Sequence, residues 1–310
     1  MKAMQVREFG GIDVIRRVEM PRPVPGRGEV LVRVEAAGVG PWDALVRTGN
    51  SGLPQPLPLV LGSDLSGVVE SFGQDVTEFA VGDQVYGVTN PRFVGAYAEY
   101  ALATAGMIAK KPRPLTYVEA ASVPVVAVTA WRMVFDRARV SPGQTVLVHG
   151  GAGAVGAYAV QLAHRARAKV IATASAGDLA YVRTLGADRA IDHRAVRFED
   201  VTGPVDAVID TVGGEMQRRS MPLISPGGIL VSAVSPPDAE EARRRQIRSE
   251  FFIIDVTSAD LARLSAMIEA GELITDVGTV LALDEARLAH EFLAGRRPRR
   301  RGKIVLRVDR

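Results

Sequence analysis

The sequence predicts an α/β chain in which a β-rich segment is followed by a doubly wound parallel sheet of six strands. Three observations carry that prediction. From Thr145 onward, short apolar runs alternate with helix-forming stretches, the rhythm of parallel strands joined by crossover helices. At the first strand-to-helix passage stand three glycines, spaced Gly151-x-Gly153-x-x-Gly156. Before about residue 120, polar and apolar residues alternate between glycine and proline breaks, as in an antiparallel, barrel-like unit.

The run Thr145-Val146-Leu147-Val148-His149 has the aliphatic, β-branched composition of a buried parallel strand. Beyond the glycines, Ala157-Tyr158-Ala159-Val160-Gln161-Leu162-Ala163 is a good helix former. Gly151 allows the sharp turn out of the strand, Gly153 leaves the backbone open to a pyrophosphate, and Gly156 lets the helix pack closely on the sheet. The helix start at Ala154 and Val155 offers free N–H groups and a partial positive charge to the anion. Lys169-Val170-Ile171-Ala172-Thr173-Ala174, about 20 residues on, supplies the second strand that a Rossmann dinucleotide site requires. The alternative is a glycine-rich turn of purely structural use.

Taken in order, Pro21, Pro23, Pro25, Gly26 and Gly28 make a turn before the half-exposed strand Glu29–Ala36. Two further strands are predicted at Leu65–Ser71 and Asp83–Val88, flanking Gly73. Over Leu115–Ala130 the pattern turns helical, with Thr116 as a cap and Pro124 as an interruption. The nucleotide sheet takes strands at 145–149, 169–174, 189–192, 206–210, 228–233 and 251–255. Gly186 stops the helix that begins near Asp178, and helices at 259–270 and 284–294 stop at Gly271 and Gly295. A last strand, Lys303–Val308, has no place left in that sheet and is expected to return to the N-terminal unit. The predicted domains are 1–122, a nucleotide-binding domain over 123–265, and a returning segment over 266–310.

The totals exclude several classes of function. With 47% hydrophobic and 24% charged residues and no apolar run long enough to span a membrane, the chain reads as globular. Charged residues at Lys2, Arg7 and Glu8 stand where a signal peptide needs an apolar core, so a cytoplasmic location is expected. Zero cysteines remove disulfides, thiol nucleophiles and every cysteine-ligated metal site. A net charge of +3 is too small to argue for a polyanionic partner. The run Arg296–Lys303 is basic but lacks interleaved aromatics or a binding motif, so it reads as a solvated loop and not a nucleic-acid surface.

At this point the chain resembles a known family. Val148-His149-Gly150-Gly151-Ala152-Gly153-Ala154-Val155-Gly156 with Ala159–Ala163 resembles the zinc-independent quinone oxidoreductase (zeta-crystallin-like) branch of the medium-chain dehydrogenase/reductase superfamily. Supporting pieces span nearly the whole length: Ala37–Asp43, Leu61–Gly67, Val81–Gly87, Gly95–Tyr100, Asp206–Gly214 and Gly302–Leu306. The resemblance implies a GroES-like catalytic domain joined to a Rossmann domain. By motif, the zinc-binding cysteine and histidine of the alcohol dehydrogenases fall on Gly40 and Ser63. The four histidines, His149, His164, His193 and His290, are scattered and show no ligand-pair spacing. Trp42 stands where those enzymes carry a hydroxyl proton relay. Alcohol oxidation on zinc is therefore not expected.

What remains is hydride transfer from a nicotinamide to an acceptor that is already electrophilic: a quinone, or alternatively an enone or alkenal. A third reading is a non-catalytic NADPH-binding redox sensor, because no general acid is identified. The resemblance assigns Gly40, Trp42, Asp43, Leu45 and Tyr97 to the substrate wall. Gly40 and Leu45 lack polar groups that relatives carry, which implies a wider, more apolar pocket. Trp42 also reads as ordinary packing, Asp43 as structural, and Tyr97 either as a proton donor or as core.

NADPH is expected over NADH. The second strand ends Ala174-Ser175-Ala176-Gly177, without the acid that binds ribose hydroxyls in NAD-type sites before Asp178. Ser175 leaves room for a 2′-phosphate, and the resemblance makes His193 and Arg194 its candidate contacts, His193 being alternatively a plain turn residue. Thr129, by resemblance, approaches the nicotinamide, and Val212, Ala233 and Phe252 follow strand ends on the ligand side of the sheet. Finally, the resemblance suggests a homodimer, and Phe251-Phe252-Ile253-Ile254 on an edge strand offers a way to form it by pairing about a two-fold axis. The alternative is that neighbouring helices cover this strand within one chain.

Overall fold

The computed structural model describes residues 1–309. It comprises two compact units, Met1–Val125 with the described residues from Asp255 onward, and Val126–Ile254.

In the first unit, β1 (Lys2–Val6) pairs antiparallel with β2 (Arg16–Glu19). The eleven-residue β3 (Glu29–Val39) follows, and then α1 (Pro41–Thr48), which starts beside Gly40. β4 (Leu59–Val60) completes the small sheet with β1. β5 (Asp64–Phe72), β6 (Gln84–Val88), β7 (Tyr100–Thr104) and β8 (Ile108–Lys110) build the larger sheet around β3. Here the predicted antiparallel pairing holds: β3 to β5 and β7, β5 to β6, and β6 to β8. Inward residues Val30, Val32, Val34, Leu65 and Val85 are buried, as the alternating pattern requires. α2 (Tyr117–Ala121) is capped reciprocally: the Thr116 hydroxyl accepts the Glu119 N–H, and the Glu119 carboxylate accepts the Thr116 N–H. Pro124 ends that segment, and α3 (Pro124–Trp131) begins on it.

The second unit alternates strand and helix: β9 (Thr145–His149), α4 (Ala154–Arg165), β10 (Lys169–Ala174), α5 (Leu179–Thr184) and β11 (Arg189–Asp192). The second half is α6 (Glu199–Thr202), β12 (Val205–Asp210), α7 (Glu215–Ser220), β13 (Ile224–Ser232), α8 (Ala239–Arg244) and β14 (Arg248–Phe251). The six strands are all parallel, in the order β11-β10-β9-β12-β13-β14. The order reverses between β9 and β12, the switch point at which doubly wound sheets bind ligands.

The chain then returns to the first unit through α9 (Ser258–Glu269), β15 (Val277–Ala282), α10 (Ala286–Leu293) and β16 (Lys303–Arg307). β16 lies antiparallel to β3 and parallel to β15, so the tail does join the N-terminal sheet.

Two details differ from the sequence reading. Residues 255–265, read with the nucleotide domain, lie in the first unit, where α9 packs on β8 and the Tyr86 hydroxyl donates to the Leu261 carbonyl at 2.7 Å. Its buried Leu261, Leu264 and Ile268 form an ordinary amphipathic stripe, which says that a helix packs but not on what. The edge strand is Arg248–Phe251 and not 251–255. Its register runs from Ile229↔Arg248 to Ser232↔Phe251, and β13 ends at Ser232, so later residues have no ladder to join.

Candidate functional site

In the nucleotide-type unit the glycine turn has the geometry that the motif demands. A Cβ on Gly151 would lie 2.9 Å from the Ala172 side chain, and one on Gly156 would lie 2.1 Å from the Gly150 carbonyl oxygen. Both positions therefore require the absence of a side chain, to bring turn, helix and sheet together. Gly153 is different. It is exposed, its nearest obstacle to a Cβ is the Gly150 oxygen at 3.1 Å, and it is the N-cap of α4 without a side-chain cap. The twelve-residue α4 thus presents its first N–H groups, at half-buried Ala154 and Val155, past a backbone with no side chain on it. This cradle fits a dinucleotide pyrophosphate.

Six of the other predicted cofactor residues lie just past C-terminal strand ends of the same sheet. Ser175 follows β10 and Val212 follows β12, while Ala233 follows β13 and Phe252 follows β14. His193 follows β11 and is drawn to Ser175, since its Nδ1 and its backbone N–H both lie within hydrogen-bond range of the Ala174 carbonyl, at 2.8 and 3.2 Å. Arg194 is exposed beside it. The seventh, Thr129, is buried on α3.

Two features of the rim escaped the sequence reading. The Ser175 hydroxyl donates to the Asp178 carboxylate at 2.6 Å, so an acid does reach this corner, folded back from one turn further along. The second is Asp210, fully buried. It accepts the N–H groups of Val212 and Gly213, the Gln217 amide and the Ser232 hydroxyl, at 2.8–3.0 Å. Four donors make it the anchor of the turns after β12 and β13. Its signal in the sequence was an acid ending an otherwise apolar strand, Val205–Asp210.

In the first unit the predicted substrate-wall residues separate into two groups. Leu45 is exposed, whereas Trp42 is half-buried against Phe93, edge to face with ring centroids 5.7 Å apart. Asp43 and Tyr97 are buried, and the Tyr97 hydroxyl donates to Asp43 Oδ2 at 3.0 Å. The Gly40 N–H donates to the same oxygen at 2.8 Å, closing the first turn of α1. Tyr97 has room because residue 62 is glycine: with φ +89°, a Cβ there would fall 2.1 Å from the ring. Asp43 Oδ1 is buried without a hydrogen-bond partner. Burial pushes this carboxyl up to about 7, against the pull of the Gly40 N–H and the Lys303 ammonium. Oδ2 already accepts two hydrogen bonds, so in the protonated form of the carboxyl Oδ1 is the oxygen open to the proton.

Lys303, read from the sequence as the end of a solvated basic loop, is not solvated but opens β16. Its side chain is buried, its ammonium pairs with Asp64 at 2.8 Å, and it stands 3.3 Å from where a Cβ on Gly40 would be. Asp64 in turn accepts the Val125 N–H at 3.0 Å. Position 40, where zinc enzymes would carry a ligand, thus faces a resident cation, and neighbouring Ser63 offers only a hydroxyl. These residues do not fit a zinc ion. Among the described residues, no group of three or more His, Asp or Glu side chains converges in a metal-binding arrangement. Charged residues opening the apolar strands β5 and β16 were the available signal.

The chain matches the models of two families, an alcohol dehydrogenase GroES-like domain over residues 26–113 and a zinc-binding dehydrogenase domain over 185–306. It is 32% identical to a human quinone oxidoreductase over 94% of this chain and 93% of that one. It is 33% identical to a chloroplastic NADPH-dependent alkenal/one oxidoreductase of Arabidopsis thaliana, over 99% of this chain and 79% of that one. The solved structure of a quinone oxidoreductase from Coxiella burnetii superimposes with a TM-score of 0.92 at 34% identity, covering 100% and 99% of the two chains. The chain belongs to the zinc-independent quinone oxidoreductase branch of the medium-chain dehydrogenase/reductase superfamily. It is an oxidoreductase.

Membership makes sense of both units of this oxidoreductase. A GroES-like, β-rich unit and a parallel six-stranded Rossmann sheet are the architecture of the superfamily. The zinc in the name of one family model is not a property of this chain's residues, since positions 40 and 63 carry glycine and serine. No helix among the described residues is long and apolar enough to cross a membrane.

Proposed function

We propose that this oxidoreductase uses NADPH to deliver hydride to a quinone in the cytoplasm, without zinc. The observation that carries the reading is the ammonium of Lys303 beside Gly40, where a zinc ligand would have to be. Without a Lewis acid, an alcohol or simple ketone is a poor partner. A quinone drains the incoming charge onto its own carbonyl oxygens. Nicotinamide, when bound, supplies the hydride. The chain's own residues bind the pyrophosphate at the Gly153 turn and the start of α4, and Asp210 holds the neighbouring turns. Gly40, Trp42, Asp43, Leu45 and Tyr97 form the proposed acceptor side, with Tyr97 held on Asp43. A second reading, reduction of an enone or alkenal, is favoured by the Arabidopsis relative.

Oxidation of NADPH followed against a panel of quinones and enones, before and after prolonged chelation, decides among these. Turnover of quinones that survives chelation is expected. NADPH binding without oxidation by any acceptor leaves only the sensor reading. In a Gly153→Val variant, NADPH affinity should fall by about a hundred-fold, some 2.7 kcal/mol, because the side chain fills the cradle while a φ of −74° suits valine. Parental affinity there would reduce the glycine turn to a structural one.

The NADPH preference rests on Ser175, with His193 and Arg194 as the 2′-phosphate contacts. Ser175→Asp should shift selectivity toward NADH by about ten-fold, through like-charge repulsion worth ~1.4 kcal/mol. Asp178→Asn should move it the other way, since the carboxylate on the Ser175 hydroxyl opposes a phosphate. Equal effects on both cofactors in titrations of either variant would remove this assignment.

A homodimer is proposed through β14, an edge of the six-stranded sheet, beside exposed Phe251 and Ile253. Pairing two copies of this edge would satisfy its open backbone groups and cover these side chains. Sedimentation equilibrium at micromolar concentration should return twice the chain mass. A single chain mass would overturn it.

A further inference from the structure

Beneath the glycine turn lies a buried hydrogen-bond chain that neither the dinucleotide motif nor the hydride chemistry uses. His149, the last residue of β9, is fully buried. Its Nδ1 lies 3.2 Å from the Thr173 hydroxyl on β10, and its Nε2 lies 2.7 Å from the Ser220 hydroxyl at the end of α7. The Ser220 hydroxyl donates its one proton to the Met216 carbonyl at 2.6 Å, so toward His149 it can only accept. His149 therefore carries its proton on Nε2. Nδ1 is then an acceptor, and the Thr173 hydroxyl donates to it. The Thr173 oxygen is left to accept the Gly150 N–H, at 3.1 Å. Each donor has one acceptor, and the whole runs one way: Gly150 N–H to Thr173, Thr173 to His149, His149 to Ser220, Ser220 to Met216.

The chain ends on the residue that opens the turn. Gly150 has φ +66°, its carbonyl accepts the Gly153 N–H at 2.8 Å, and the Thr211 hydroxyl donates to the His149 carbonyl at 2.7 Å. A shift at Gly150 therefore moves Gly153 and the first N–H groups of α4 with it.

The geometry points to His149 as a positioning residue: as the Nε2-protonated neutral imidazole, it orients the Thr173 hydroxyl and so holds the Gly150–Gly153 turn in the shape that receives the dinucleotide pyrophosphate. This rests on the proposed dinucleotide site. The surroundings keep the ring neutral. Burial holds it down near 4, with Asp210 and Glu199 opposing and Arg219 assisting, and the Phe198 ring packs edge to face at 4.7 Å. A charged ring would carry a proton on Nδ1 as well, and the Thr173 hydroxyl would have to turn away from it.

The test combines NADPH titration with imaging of the tautomer. Thr173→Val should weaken NADPH about ten-fold, with kcat at saturating NADPH unchanged, because only cofactor capture depends on the turn. Thr173→Ser keeps the hydroxyl and should restore affinity to within about two-fold. His149→Phe should weaken binding similarly, and the Thr173→Val/His149→Phe double variant should be no worse than the weaker single, since both break one chain. Nitrogen-15 spectra of the wild-type imidazole should show the proton on Nε2 and no titration from pH 8 to 5, and this holds as a test even if a variant fails to fold. A proton on Nδ1, titration near the ordinary histidine value, or parental NADPH affinity in Thr173→Val overturns the proposal. If Thr173→Val binds as the parent while Gly153→Val does not bind, the relay alone is wrong. Wild-type protein that binds no NADPH removes the site and the relay together.

Discussion

Replacing Lys303 by methionine should lower the free energy of unfolding by about 3–5 kcal/mol, the usual cost of stranding one charge of a buried ion pair. The pair with Asp64 is the reason. Both side chains are buried, at 6% and 2% exposure, and the bond is 2.8 Å. Asp64 lies against Gly38, where a Cβ would fall 3.0 Å from its carboxylate, so the space offers no room to rearrange. Methionine keeps much of the volume and none of the charge. The double variant Lys303→Met/Asp64→Asn should recover part of the loss, because the asparagine still accepts the Val125 N–H and leaves no bare charge. Denaturant unfolding of the four proteins gives the cycle. Strictly additive losses would mean that the two side chains do not depend on each other, and the account of the cluster would fail.

Asp43→Asn should change how stability depends on pH. Unfolded, Asp43 has the ordinary carboxylate value of 3.8, and burial raises it to about 7 in the folded chain. The folded state thus holds the proton more tightly. That contribution is fully present below pH 3.8 and is lost as pH rises through 7, up to about 4 kcal/mol in all. Asparagine accepts from the Gly40 N–H and the Tyr97 hydroxyl and cannot ionise. The stability of the parent relative to the variant should therefore fall by a few kcal/mol between pH 4 and pH 8. His149 and His290, each held near 4 by burial, act in the opposite sense, adding stability above pH 6.5 that is lost as pH falls toward 4. They are common to both proteins and drop out of the difference. Parallel pH curves would show that folding leaves the Asp43 carboxyl unshifted.

How far the site was legible follows from the range of each interaction. The glycine turn could be read because its requirements are mostly local: Gly153 and Gly156 each answer Gly150 within one strand–turn–helix, and Gly151 answers Ala172 on the next strand. The same holds for Thr116 as a cap and for the first five strands of the parallel sheet. Ser175 was read only by half. The missing acid at the strand end was visible, but the return of Asp178 onto the serine hydroxyl depends on the short helical turn at Ala176–Asp178. The edge strand was displaced by three residues because strand ends are set by the partner. β13 stops at Ser232, whatever the hydrophobicity of Phe252–Ile254.

Taken by itself, the sequence determined the class of fold, the place of the dinucleotide turn and the absence of cysteine and histidine where zinc would need them. Each of these is a matter of residue type and short spacing. Only the tertiary structure decided what occupies the position the metal left. Lys303 and Asp64 are 239 residues apart and meet because β16 returns to β3, pairing Ile304 with Val39 next to Gly40. The Tyr97–Asp43 bond and the burial that raises the Asp43 carboxyl arise in the same way, from strands and a helix distant in the chain. Desolvation is a property of everything packed around a group. No local pattern of residues states it, and so the chemistry of the carboxyl at position 43 had to wait for the fold.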